Sequence, residues 1–275
     1  MSNSVWGYRK NRYAKIATTL VAVALVAFVV HDPASGRNGG TWVGYAIGTM
    51  AAGLTGWLAW YGIRKRRYGK HPLPLAEILS AHVNFGIAAF LLATLHTGFE
   101  FGLNFHFISY GLLLAISISG FCGVLLYAYV PTAMTDNAKG RSTTDMIEEI
   151  AEINRDARRT GAELDDDINR LTRRSVQYTQ IGGGVWRLLS GHYKERHTEE
   201  ALEGVREQAE HFTAAEAEAG RRLVTLLARK LEAVDRLRRH IRYEAWMDIW
   251  LYLHIPMTFA YLIALVGHIL FVFYY

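Results

Sequence analysis

Apolar and polar positions along this chain are segregated into long blocks rather than interleaved. Ile16 to Val30, Trp42 to Ile63, Pro74 to Gly98, Phe107 to Val130 and Trp246 to Phe273 hold almost no charge. A helix rises about 1.5 Å per residue, so about 20 apolar residues cross the hydrocarbon core of a bilayer, and most of these blocks are long enough to do so. The pattern predicts an all-α integral membrane helix bundle of about five spans. The first block is short and follows a basic tail, as a secretory signal does. No clear small-x-small cleavage site follows Val30, so it is expected to remain as a signal-anchor helix.

Residues 131–245 follow a different pattern. From Met146, Ile150, Ile153 and Ala157 through Leu164, Ile168 and Leu171, apolar positions recur at steps of three, four and seven, as in a coiled-coil-like helix. Ser142 to Asp145 supplies a capping start. Gly182, Gly183 and Gly184 mark a turn region between Gln177 and Thr198. A second long helix is expected from near Thr198 through Leu227, Leu231, Val234, Leu237 and Ile241, with no breaker before Trp246. The expected organisation is a membrane region with four spans at 1–130, a long cytoplasmic helical hairpin at 131–245, and a fifth span at 246–275 that completes the bundle. The hairpin reads equally as a docking post for a partner protein and as a structural cap.

Charge orients the bundle. The chain has 275 residues, 51% of them hydrophobic, with a formal net charge of +5. Residues 131–245 are close to neutral, and the basic excess lies in Arg9, Lys10, Arg12 and Lys15 before the first span and Arg64, Lys65, Arg66, Arg67 and Lys70 after the second. Positive charge collects on the cytoplasmic side of membrane proteins. The N-terminus and hairpin are therefore expected in the cytoplasm of a bacterium, with the C-terminus outside its cytoplasmic (inner) membrane. This placement explains the basicity without nucleic acid. The cations of the second connection suit either haem propionates or lipid phosphate.

Two of the apolar blocks carry paired histidines. His82 and His96 lie on the third span, and His254 and His268 on the fifth, each pair fourteen residues apart. Fourteen helical residues rise about 21 Å and fall about 40° short of four turns, so both members of a pair share a face at opposite depths. A polar ring in hydrocarbon needs a partner, and a neutral imidazole is a good iron ligand. Taken singly, each of these histidines could equally satisfy a carbonyl or hydroxyl of a neighbouring helix. The repeated interval favours two stacked bis-histidine sites. If both spans run outward, His82 pairs with His254 near the cytoplasm and His96 with His268 near the outside.

Other residues add less. His31 and His106 read as interfacial, and His192, His197, His211 and His240 as solvated, with no zinc motif. Glu77 and Glu100 read as solvated helix-end carboxylates, with proton handling at a quinone pocket the functional alternative. Cys122 reads as a small packing residue between helices. The glycines of the second span read as helix-packing positions that could also make room for a flat macrocycle. Pro256 is expected to bend the fifth span beside His254, and Met257 is a weaker ligand candidate than its paired neighbour.

The pattern of His, thirteen residues and His on two helices separated by one other span resembles the dihaem b-type membrane cytochromes. It is similar to the four-histidine haem core of respiratory cytochrome b and of the ferric reductase and NADPH oxidase family, over roughly residues 40–130 and 246–275. The resemblance implies two haem b groups, with His82 and His254 on the inner iron and His96 and His268 on the outer. It also implies electron transfer across the membrane between a quinone or redox-protein partner on one side and another redox subunit on the other. No dinucleotide fingerprint or flavin module follows the last helix, which argues against an oxidase drawing directly on NADPH. Two other readings remain: a haem-free membrane scaffold or signal transducer whose hairpin recruits a partner, and a single-chain quinone or metal reductase. Electron direction and oligomeric state are not encoded in any recognisable motif.

Overall fold

In the computed structural model, residues 11–34, 36–67, 75–102, 105–193 and 196–274 are described, without the side chains of 61–67 and 75–76. The described residues form helices α1 (Arg12–Val30), α2 (Trp42–Arg67), α3 (Leu75–His96), α4 (Phe105–Ala138), α5 (Thr143–Gly161), α6 (Asp166–Gln177), α7 (Val185–Ser190), α8 (Arg196–Gln208) and α9 (Ala214–Tyr274). The chain divides into two units, 1–124 with 250–275 and 125–249, and α4 and α9 contribute to both.

Four helices, α1, α3, α4 and α9, are long and apolar enough to cross a membrane, which suggests a multi-pass membrane protein. At 26 residues α2 is also long enough, but its Gly, Thr, Tyr and Trp residues dilute its apolarity. In this first unit α1, α2 and α3 pack around Ala24, Val43, Ile47, Ala51, Leu92 and Leu95. The carbonyls left over at the end of α1 are met by Arg37, whose guanidinium donates to Val29 O at 3.1 Å and His31 O at 2.9 Å. Gly98, at φ +62°, closes α3 where a Cβ would run into the Arg37 carbonyl.

Side-chain contacts set the helix directions. Thr94, near the end of α3, lies 3.1 Å from the hydroxyl of Tyr110, near the start of α4. Ser109 of α4 donates to Ala264 O of α9 at 3.3 Å, and further along α4 Ser119 O accepts from Trp250 Nε1 at 2.8 Å. Thus α4 is antiparallel to α9, and the end of α3 meets the start of α4. Pro256 sits inside α9 without ending it, and the His254 carbonyl accepts from Thr258 Oγ1 at 2.8 Å.

The second unit departs from a two-helix hairpin. The first apolar stripe is split: α5 ends at Gly161, and α6 restarts behind an Asp165 cap. The second is split as well, because α8 stops at Gln208 and α9 begins at Ala214. The reason is a capping box. Thr213 Oγ1 and N both donate to Glu216 Oε2, at 2.7 and 2.8 Å, and Glu216 N donates back to Thr213 Oγ1 at 3.4 Å. Ser142 and Asp145 make the expected box at the start of α5. The helices enclose a core of large apolar side chains, among them Met146, Ile150, Ile168, Leu223, Leu227, Val234 and Leu237. Within it, buried Lys230 donates to Ser175 O at 2.7 Å and Ser175 Oγ at 2.9 Å.

Candidate functional site

His96 and His268 are brought near each other by α3 and α9, with α2 and the loop before it around His96. His96 ends α3, and its Nδ1 lies 2.8 Å from Gly44 O on α2. A carbonyl oxygen can only accept, so Nδ1 carries the proton and the Nε2 lone pair of the neutral ring is left for a ligand bond. Glycines make the seat. A Cβ at position 48 would lie 2.6 Å from His96 Nδ1, and one at position 39 would lie 3.0 Å from Cε1, so any side chain at Gly48 displaces the imidazole. On α2, Gly48 provides close approach for this ring, whereas Gly44 makes room for the backbone of Asn38 and Gly39.

Across from it, on α9, the His268 ring centroid is 6.0 Å from that of His96, with the ring planes at 88°. A metal bonded at about 2 Å to one nitrogen of each of two opposed imidazoles would hold their centres about 6 Å apart. The separation, and the Nε2 of His96 left without a proton, suit two imidazoles that could hold one metal ion. The other side of His268 meets a residue assigned to the interface from sequence: His106 Nδ1 is 2.6 Å from His268 Nδ1, with ring centroids 4.6 Å apart. Antiparallel pairing of α4 with α9 produces this contact. Sequence periodicity within one helix carries no signal for it.

His82 lies fourteen residues earlier on α3 and is exposed. His254 Nδ1 is 3.1 Å from Ser119 Oγ of α4, and its ring stacks on Trp250 with centroids 5.3 Å apart. A serine hydroxyl can accept the Nδ1 proton, which again leaves Nε2 for a metal. Where a Cβ is added at Gly123 it strikes the Trp250 indole, so this glycine admits the ring that backs His254.

Several side residues are placed differently from their sequence expectation. Glu77 is buried rather than solvated, and its carboxylate accepts from Tyr13 OH at 2.8 Å. Cys122 is exposed on α4 rather than packed between helices, because the α9-facing side of that turn is taken by Gly123. His31 stands edge-on to Trp42 with ring centroids 5.2 Å apart. In the second unit His240 is buried rather than solvated, 3.5 Å from Glu244, and His197 is 3.4 Å from Glu200. The side chains of Arg64, Lys65, Arg66 and Arg67, and all of Lys70, lie outside the described residues, as does the proposed contact with propionates.

Among the described residues no group of three or more His, Cys, Asp or Glu side chains is arranged to hold a metal ion by itself. Two imidazoles would suffice only for a group that brought its other donors with it, as a porphyrin would. Comparison with known proteins matches the chain to no family model, no curated protein and no solved structure.

Proposed function

We propose that the chain is a dihaem b-type cytochrome subunit that passes electrons across a membrane. The observation that carries this is the outer pair: His96, its Nδ1 proton committed to Gly44 O, faces His268 at a ring separation of 6.0 Å. His96 and His268 would hold the outer haem, His82 and His254 the inner one. Each haem b would supply one-electron chemistry at its iron.

The chain's own residues ligate, orient and insulate. Gly44 O holds His96 in the tautomer that presents Nε2, and Ser119 Oγ, by accepting the Nδ1 proton of His254, would do the same there. Phe90 and Tyr110, stacked with centroids 6.2 Å apart beside Thr94, add apolar surface and exclude water between α3 and α4. On this reading α2 also spans the bilayer, as the second of five spans in chain order, helped across by packing on α3. The protein lies in a bacterial cytoplasmic membrane with its N-terminus and second unit inside and its C-terminus outside. One redox partner or quinone meets a haem edge at one face, and another redox subunit meets the second haem at the other. The chain is then the electron-transfer part of an oxidoreductase complex.

The test is a reduced-minus-oxidised absorption spectrum of the purified full chain, expressed with haem available, together with a haem count. Two b-type haems per chain are expected. One should be lost in His96→Ala and in His268→Ala, and the other in His82→Ala and in His254→Ala. A wild-type protein with no b-type signal overturns the proposal and leaves the haem-free scaffold reading in its place.

A further inference from the structure

Both α9 histidines have their Nδ1 against a side chain of α4, and the two partners are chemically different. His254 meets the Ser119 hydroxyl at 3.1 Å, whereas His268 meets the imidazole of His106 at 2.6 Å. We infer that His106 is a positioning residue for His268, accepting its Nδ1 proton and thereby setting how strongly its Nε2 donates to the outer iron. This rests on the bis-histidine reading of the site.

Proton counting supports the assignment. Two Nδ1 atoms at 2.6 Å share one proton, so one ring donates and the other accepts. If His268 accepted, a neutral His268 would carry its proton on Nε2 and have no lone pair there for iron. If His268 donates, Nε2 is available, and His106 carries its own proton on Nε2. Distance separates the two rings' roles. His106 is too close to His268, at 4.6 Å between centroids, for a metal to sit between them, whereas His96 at 6.0 Å is not.

The surroundings hold the contact in place. Ser109, one turn along α4, bonds Ala264 O of α9 at 3.3 Å. Gly267 lets Phe105 approach to 3.0 Å of where a Cβ would be. Phe271 stands edge-on to His106 at 5.8 Å. An imidazole nitrogen is a stronger acceptor than a hydroxyl, so the ligand it serves becomes more basic and favours ferric iron. The outer haem is therefore tuned through α4 by a lever that the inner haem lacks.

The test compares the full-length wild type with His106→Leu, which has no acceptor, and His106→Gln, whose amide oxygen can accept. The readouts are haem count, redox titration of each haem, and the rate of haem transfer to an excess of a haem-scavenging protein. His96→Ala identifies the outer haem. In His106→Leu the outer midpoint potential should rise and its haem should leave about 10-fold faster or be lost, as outer-partner mutations typically cause. The inner haem should stay unchanged and report an intact bundle. His106→Gln should keep both haems and return toward wild-type values. The inference is overturned if both variants match the wild type, or if both lack the outer haem, which would make His106 itself a ligand. A wild type without haem would overturn the underlying reading as well, and so is distinguishable from either result.

Discussion

The two units differ in what they expose. In unit 125–249 the buried side chains are large and apolar: Met146, Ile150, Ile168, Leu223, Leu227 and Leu237 are each less than a twentieth exposed. The other unit buries large apolar side chains too, Ile47 and Leu92 among them, together with Ala24, Ala81, Ala88, Ser80, Asn84 and Ser109, but it also turns Val26, Phe121, Ile263 and Phe273 outward. Helix α9 shows both regimes in one continuous element, burying Leu227 and exposing Leu253 and Ile263. The difference is one of solvent. Water leaves few large apolar side chains on a surface, whereas lipid accepts them, and membrane helices add small residues and hydrogen bonds to their packing.

The sharpest test of this contrast substitutes leucines at matched positions of α9. Leu227→Ala should destabilise the second unit by about 2–5 kcal/mol, whereas Leu253→Ala, on an exposed face, should change stability by about 0.5 kcal/mol or less. Hydrogen exchange of the full chain, followed segment by segment, measures both. Equal effects would mean that α9 meets one solvent along its whole length.

A charge probes the lipid face next. Ile263→Arg should cost about 2.5–3.5 kcal/mol of membrane insertion, read as loss of membrane-integrated protein on fractionation, while Glu218→Arg on the exposed start of α9 should leave integration unchanged. Packing at the small-residue seam comes third. Gly48→Leu drives a side chain into the His96 imidazole and should cost about 1–3 kcal/mol. It should also abolish binding of one haem in the spectrum while leaving the exchange protection of α5 and α6 intact.

The smallest effect expected is at the water-facing caps. Ser142→Ala removes the capping box of α5 and should cost about 1 kcal/mol. Hydrogen bonds from the Ser142 backbone and hydroxyl hold the Asp145 carboxyl below its usual range, and those of Thr213 do the same for Glu216. Both folded values lie below the unfolded ones, so this stabilisation is complete above the ordinary carboxylate range. It is lost as pH falls through the lowered values. An acid titration of helicity should show a shallower loss in Ser142→Ala than in wild type.

The second unit also shows where pattern reading stops. The apolar stripe through Met146, Ile150 and Ile153 and the cap at Ser142 were legible, because period and capping are local properties. Thr213 and Glu216 have the same spacing as a capping box, and that signal was available to start α9 after the α8 segment rather than within one long helix. Pro131, expected just past the end of a span, sits inside α4, which continues to Ala138 and stops at the left-handed pair Lys139 and Gly140. Proline weakens a helix interior without always ending it, and the local sequence does not decide which outcome prevails.

For the candidate site, sequence alone determined the chemistry available: four imidazoles at one repeated interval on two apolar helices, with charge biased to one side. Helical rise and the hydrocarbon thickness convert that interval into depth, with no knowledge of packing needed. Tertiary structure alone decided which atoms face those rings. Gly44 O beneath His96, His106 against His268, Ser119 against His254 and the burial of Glu77 depend on how helices far apart in sequence are rotated and registered against one another. Periodicity defines a face within a helix, whereas the partner of that face is set by interhelical contacts that no local pattern encodes.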